Sequence, residues 1–191
     1  VLHLVEGTLL RRYTRFLADL RLPDGTEVTA HCPNSGTMRS CSDPGSRCWI
    51  SPATNPRRKL KWTLEIVHCG GDDAAALVNT ARPNHVVREG VETGAIAELT
   101  GYDTVRSEVR YGTENSRIDL LLQDGPRPDA YVEVKNVTLL EEPGLARFPD
   151  AVTTRGAKHL RELMGVVAEG HRGVLVFHVP RADAEQVRPA D

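Results

Sequence analysis

In Tyr131-Val132-Glu133-Val134-Lys135-Asn136-Val137 the polar and apolar residues alternate. In a strand this places Glu133 and Lys135 on one face and Val132 and Val134 on the other. Upstream, Ile118-Asp119-Leu120 sets a carboxylate in an otherwise apolar run. The link Asp124–Asp129 is short and rich in turn formers, so the two strands form a hairpin and Asp119 meets Glu133 across the ladder. Two adjacent carboxylates repel, at a cost of a few kcal/mol at an effective dielectric near ~20, unless something positive joins them. A divalent cation, Mg²⁺ or Mn²⁺, does so: it takes hard oxygen ligands and keeps waters, one of which becomes a nucleophile. Lys135, beside that water, could position it or stabilise charge developing on phosphorus.

The spacing Asp-x13-Glu-x-Lys on adjacent strands, after a helix bearing Glu92 and Glu98, is the pattern of PD-(D/E)xK nucleases. The bland alternative is a surface ion pair. Against it, Asp119 lies among Ile118, Leu120, Leu121 and Leu122, where an unpaired carboxylate is costly. Glu98 is the expected third metal-side carboxylate, with Glu92 and Glu108 left open beside it. A later helix, Thr154–Glu169, carries Arg155 and His159 one turn apart, with Lys158 between them. Arg155 and His159 join the catalytic candidates and Lys158 the phosphate-binding ones; the alternative is a solvated helix face.

The elements positioning these groups form the second half of the chain. Val86, Val87, Val91, Ala95, Ile96 and Leu99 follow helical spacing, strands are expected over Thr104–Tyr111, Arg117–Gln123 and Tyr131–Leu139, and Gly173–Val179 is an apolar strand. Residues 1 to about 70 read instead as five short strands, Val5–Leu10, Tyr13–Leu20, Glu27–Cys32, Arg47–Ser51 and Leu60–His68, broken by Gly, Pro, Asn and Asp. That is the pattern of a small closed barrel of OB-fold type. The expectation is a two-domain α/β (α+β) chain: a barrel over 1–82 and a nuclease-like mixed sheet flanked by helices over 83–191, with Gly70-Gly71-Asp72-Asp73 near the seam. The first segment carries 11 basic and 8 acidic residues, the second 13 and 18, consistent with one module touching polyanions and the other holding cations.

In the barrel, Arg11, Arg12 and Arg15 interleave with Tyr13 and Phe16, and Arg57, Arg58, Lys59 and Lys61 precede Trp62. The cations are expected to hold phosphates of DNA, with RNA an open alternative, and Phe16 and Trp62 to be core. Pro33–Met38 forms either an anion nest or a barrel corner. Cys32, Cys41, Cys48 and Cys69 lack zinc-ligand spacing and read as buried reduced thiols, a scattered zinc site with His31 being the lesser alternative. With no secretory signal and no run of apolar residues long enough to span a bilayer, no membrane role is expected and the cytoplasm is the expected compartment.

Long stretches resemble the sugar fermentation stimulation protein A family: residues 12–19, 31–38, 55–61, 116–119, 132–139 and 148–160. The resemblance implies an OB-fold followed by a PD-(D/E)xK domain, nonspecific DNA binding, and a regulatory part in sugar, especially maltose, metabolism. It carries Asp119, Glu133 and Lys135 over as the nuclease-like site. Family members extend some tens of residues beyond the equivalent of Asp191, so a truncated end is expected, and a homodimer remains open. Two readings compete: a metal-dependent nuclease, or a noncatalytic DNA-binding regulator that keeps the nuclease fold as scaffold.

Overall fold

The computed structural model describes residues 2–34, 36–38, 41–69, 74–148 and 154–190. The glycine-aspartate seam at 70–73 and part of the 148–160 motif, residues 149–153, lie outside the described residues. The chain divides into two compact units: Val1–Ala81 with Thr138–Phe148 and Val179–Asp191, and Arg82–Val137 with Pro149–His178.

The first unit is built on β1 (Val5–Tyr13), β2 (Leu17–Arg21), β3 (Glu27–His31), β4 (Arg47–Pro52), β5 (Trp62–His68) and β6 (Ala75–Leu77). Antiparallel pairing runs β3-β2-β1-β4-β5, and a parallel contact between β3 and β5 closes the five strands into the expected OB-type barrel. Inward positions hold Leu9, Ala18, Leu20, Ala30, Cys48, Ile50, Leu64 and Val67, all fully buried. Trp62 packs against this core as expected. Phe16 does not: it is 48% exposed. The expected strand beginning at Tyr13 is instead the end of β1, and the chain reverses through Thr14 and Arg15 at φ 50° and 65°. No glycine marks that turn. The Arg12 guanidinium makes it, donating to the Arg15 carbonyl at 2.8 Å and exposing the next side chain, Phe16.

Three further strands belong to this unit, β10 (Leu139–Glu142), β11 (Gly144–Phe148) and β13 (Ala184–Pro189), paired β10-β11-β13. None is apparent in the sequence, being mixed in polarity.

The second unit contains α1 (Pro83–Glu92), a 3-10 turn (Ala97–Leu99), β7 (Thr104–Tyr111), β8 (Ser116–Gln123), β9 (Ala130–Asn136), α2 (Thr154–Ala168) and β12 (Arg172–His178). The helix expected to continue to Leu99 stops at Glu92, because Gly94 at φ 75° turns the chain out of helical geometry. The sheet order is β12-β9-β8-β7, antiparallel except for the parallel β9–β12 pair that α2 connects. Val87, Val91 and Leu99 pack with Leu120, Leu122, Ala130 and Val132 on one face. On the other, Leu163 and Val166 of α2 pack with Tyr111, Ile118 and Leu121.

Candidate metal centre and barrel cations

The β8–β9 ladder pairs Leu122 with Ala130, Leu121 with Tyr131 and Leu120 with Val132. One step further, where Asp119 would face Glu133, the Val134 N–H donates to Asp119 Oδ2 at 2.7 Å. The second oxygen, Oδ1, accepts from the Asn84 amide at the start of α1, also at 2.7 Å. Burial, opposed by the Val134 hydrogen bond, raises the Asp119 pKa above the ordinary carboxylate range. The neighbouring Glu133 and Glu108 add to the rise, while Asn84 opposes it.

Glu133 is 3% exposed. Its Oε1 accepts from Lys135 Nζ at 2.6 Å and contacts His159 Nδ1 of α2. Its Oε2 is buried with no hydrogen-bond partner among the described residues. The opposite ring nitrogen of His159 faces Arg155 Nε at 3.5 Å, the pattern of an imidazole donating from Nδ1 and accepting at Nε2. Glu133, Lys135, His159 and Arg155 thus form one linked group towards the end of β9, with Asp119 near enough to feel the Glu133 charge.

Tyr111 adjoins it. Burial, reinforced by the negative charges of Glu133, Glu162 and Asp119, pushes its phenol up to about 12, and its hydroxyl is buried without a partner among the described residues. Neither Asn84 nor Tyr111 stands out in the sequence: one reads as a helix-start polar residue and the other as a strand-end aromatic. The structure places Glu98 elsewhere, on the exposed 3-10 turn, with its carbonyl held by Arg127 at 3.2 Å and Arg172 at 3.1 Å. Glu92 pairs with Arg88 at 2.7 Å. The carboxylates acting on Asp119 are Glu133 and Glu108.

Lys158 is turned to the β7–β8 hairpin, donating to the Glu114 carbonyl. Beside it the buried Glu162 accepts the N–H groups of Thr113, at 2.9 Å, and Glu114. These contacts seat α2 on the sheet and so hold His159 over Glu133.

In the barrel unit the cations divide by engagement. Arg12 donates to the carbonyls of Arg15, Asn34 and Gly36 at 2.8–2.9 Å and of Thr37 at 3.2 Å, so it organises the Pro33–Met38 corner. Arg11 pairs with Asp19 at 2.8 Å and lies 4.7 Å over the Tyr13 ring. Arg58 donates to Thr63 Oγ1 at 3.0 Å and Lys61 to the Pro56 carbonyl at 2.8 Å. Arg15, Arg57 and Lys59 are exposed, and their side chains carry no partner among the described residues. His31 pairs with Leu17 on one side and Thr63 on the other, which brings the turn at 14–16 and the loop at 53–61 to the same end of the barrel.

Among the described residues no three His, Cys, Asp or Glu side chains already converge on one point as metal ligands, at this site or around the cysteines. Two carboxylates suffice for a cation whose remaining ligands are waters and substrate phosphate, and the unpartnered Glu133 oxygen fits that arrangement. No helix among the described residues is long and apolar enough to cross a membrane.

Comparison with known proteins covers almost the whole chain. Residues 10–78 match a family model described as an N-terminal OB domain, and residues 81–191 one described as the sugar fermentation stimulation protein RE domain. A sugar fermentation stimulation protein homolog of Geobacter sulfurreducens is 59% identical over 188 residues, covering 98% of this chain and 78% of that protein. The homolog of Aeromonas salmonicida is 54% identical, covering 98% and 76%. A solved structure described as Pyrococcus furiosus SfsA in complex with Ca²⁺ superposes with a TM-score of 0.83 at 25% identity, covering 99% of this chain and 78% of that one.

Proposed function

The chain belongs to the sugar fermentation stimulation protein family, and on that premise we propose that it is a nucleic-acid-binding protein whose second unit hydrolyses phosphodiesters with a divalent cation. The observation carrying the reading is the buried, unpartnered Glu133 Oε2 next to an Asp119 carboxylate whose pKa is raised. That combination is expensive without a cation and useful with one. Mg²⁺ or Mn²⁺ held by Asp119 and Glu133 supplies Lewis acidity and an activated water. The Ca²⁺ in the description of the archaeal neighbour is in keeping with a hard-cation site here.

In this reading Lys135 Nζ, now 2.6 Å from Glu133 Oε1, turns to the scissile phosphate and offsets its developing negative charge. His159 and Arg155 keep a positively polarised wall on the same side. Asn84 and the Val134 N–H each hold one Asp119 oxygen and so fix the carboxylate, leaving each oxygen a second lone pair for a cation. The free cations Arg15, Arg57 and Lys59, and the exposed Phe16 ring that follows Arg15 in the chain, supply phosphate contacts and a stacking surface without base readout. Control of sugar metabolism, maltose included, would then act through binding to DNA.

One observation favours the second reading, a noncatalytic DNA-binding regulator: Glu133 Oε1 is already taken by Lys135 and His159. Cleavage of single- and double-stranded DNA and RNA with Mg²⁺ or Mn²⁺, by wild type, Asp119→Ala and Lys135→Ala, decides between them. Cutting by wild type alone supports the nuclease. DNA binding by all three without any cutting supports the regulator.

A further inference from the structure

The β7–β8 ladder pairs Ser107 with Leu120 and Val109 with Ile118. Glu108 therefore stands directly across from Asp119. On the other side, the step after Leu120–Val132 brings Glu133 to the same row. Three carboxylates on three adjacent strands thus occupy one line across the sheet, an arrangement that is destabilising when nothing joins them.

Two of the three strands that carry this row, β7 and β8, depart from regular strand geometry. Val105 packs on the α1 side of the sheet, and Arg88 of α1 reaches Ser107 Oγ at 2.9 Å. Val109 and Tyr111 pack on the α2 side. Residues of one parity in a strand share a face, so β7 turns over between Ser107 and Val109, and Glu108 has φ 57°. In β8, Leu120 and Leu122 lie on the α1 side while Ile118 lies on the α2 side. That strand turns over at Asp119. Two neighbouring strands reverse their faces at the same rung, and each presents a carboxylate there; irregularities of this kind re-aim side chains next to functional sites.

The independent sign of a ligand is Glu133, nine-tenths buried and more, whose Oε2 has no partner among the described residues. Glu108 is exposed, and its side chain makes no ion pair or hydrogen bond among the described residues.

We infer that Glu108 is a third carboxylate ligand of the cation, closing from the solvent side onto an ion held by Asp119 and Glu133. The inference rests on the cation-dependent reading of the same site. Because Glu108 is the exposed member, it swings in when the ion arrives and completes an oxygen-rich shell suited to Mg²⁺, Mn²⁺ or Ca²⁺. Glu98, fixed on its 3-10 turn, takes no part.

The test is Mn²⁺ binding to the full chain, followed through the electron paramagnetic resonance of free Mn²⁺, with melting curves in chelator alongside. Wild type is expected to bind the ion, Asp119→Asn to lose it, Glu98→Gln to match wild type, and Glu108→Gln to bind at least about tenfold more weakly. In chelator, Glu108→Gln is expected to melt at or above wild type, because one of three facing charges has gone. Glu108→Gly, which also relaxes the positive φ, should behave alike. Wild-type affinity in Glu108→Gln, with binding lost in Asp119→Asn, overturns the role of Glu108 alone. A Glu108→Gln protein that melts well below wild type in chelator also overturns it, by making the residue structural. Absence of Mn²⁺ binding in wild type overturns both this inference and the reading beneath it.

Discussion

Replacing Gly112 by alanine should unseat α2 and with it the His159 end of the candidate site. Gly112 has φ 67°, and a Cβ there would lie 1.6 Å from Glu162 Oε2 and 2.2 Å from its carboxyl carbon. Glu162 is 6% exposed and accepts the Thr113 and Glu114 N–H groups. It sits one turn beyond His159 on the same helix. The left-handed backbone costs alanine about 1–2 kcal/mol, and displacing the carboxylate forfeits at least one charge-assisted hydrogen bond, about 1.5–3 kcal/mol. The expected loss is roughly 2.5–5 kcal/mol. Both tryptophans, Trp49 and Trp62, lie in the first unit, so their fluorescence reports directly on that unit. Helical circular dichroism in a urea titration reports it, since α1 and α2 are both in the second unit. In a Glu162→Ala background the same Gly112→Ala change should cost only the backbone share, about 1–2 kcal/mol. Equal costs in the two backgrounds would refute the proposed clash.

Two further outcomes concern the barrel unit. Arg12→Met should destabilise the barrel by roughly 2–4 kcal/mol, read by tryptophan fluorescence, because four carbonyls lose their common donor. Arg57→Ala and Lys59→Ala should each leave stability within about 0.5 kcal/mol and flatten the dependence of log K on log salt by about 0.7–0.9 for DNA. The Cys48 thiol, pushed up to about 12 by burial and by Glu6, should resist a disulfide reagent at pH 8 until urea is added. The sign of its linkage follows: the folded state keeps the proton longer than the unfolded one, so Cys48's contribution is full below the ordinary thiol range. It is lost as pH rises from about 9 towards 12; a Cys48→Ala variant lacking that alkaline loss of stability is the expected control result.

Much of the candidate site is legible in the chain because strand alternation is a strong signal. Glu133 and Lys135 share a face by spacing alone, and Asp119 is conspicuous as a charge among leucines. The barrel is legible from its turn chemistry where glycine and proline write it, as at Pro23-Asp24-Gly25. At Thr14–Arg15 it is not, because the turn is made by a side chain two residues earlier, and Phe16 is consequently read as core when it is surface. Strands β10, β11 and β13, with sequences such as Ala184-Glu185-Gln186-Val187-Arg188-Pro189, are too mixed in polarity to announce themselves. The second unit hides the partners of its candidate site because two strands change faces there. A period of two predicts that residues 105, 107, 109 and 111 share a face, and likewise 118, 120 and 122. The sheet breaks that rule in both strands at one rung. Any reading that extends alternation through residues 108 and 119 therefore assigns half of each strand to the wrong side, and finds Glu98 on a helix more plausible than Glu108 on a strand. The departure from periodicity coincides with the carboxylates, as expected where local regularity is given up for chemistry. A cation joining the row would recover what the irregular backbone and the facing charges cost.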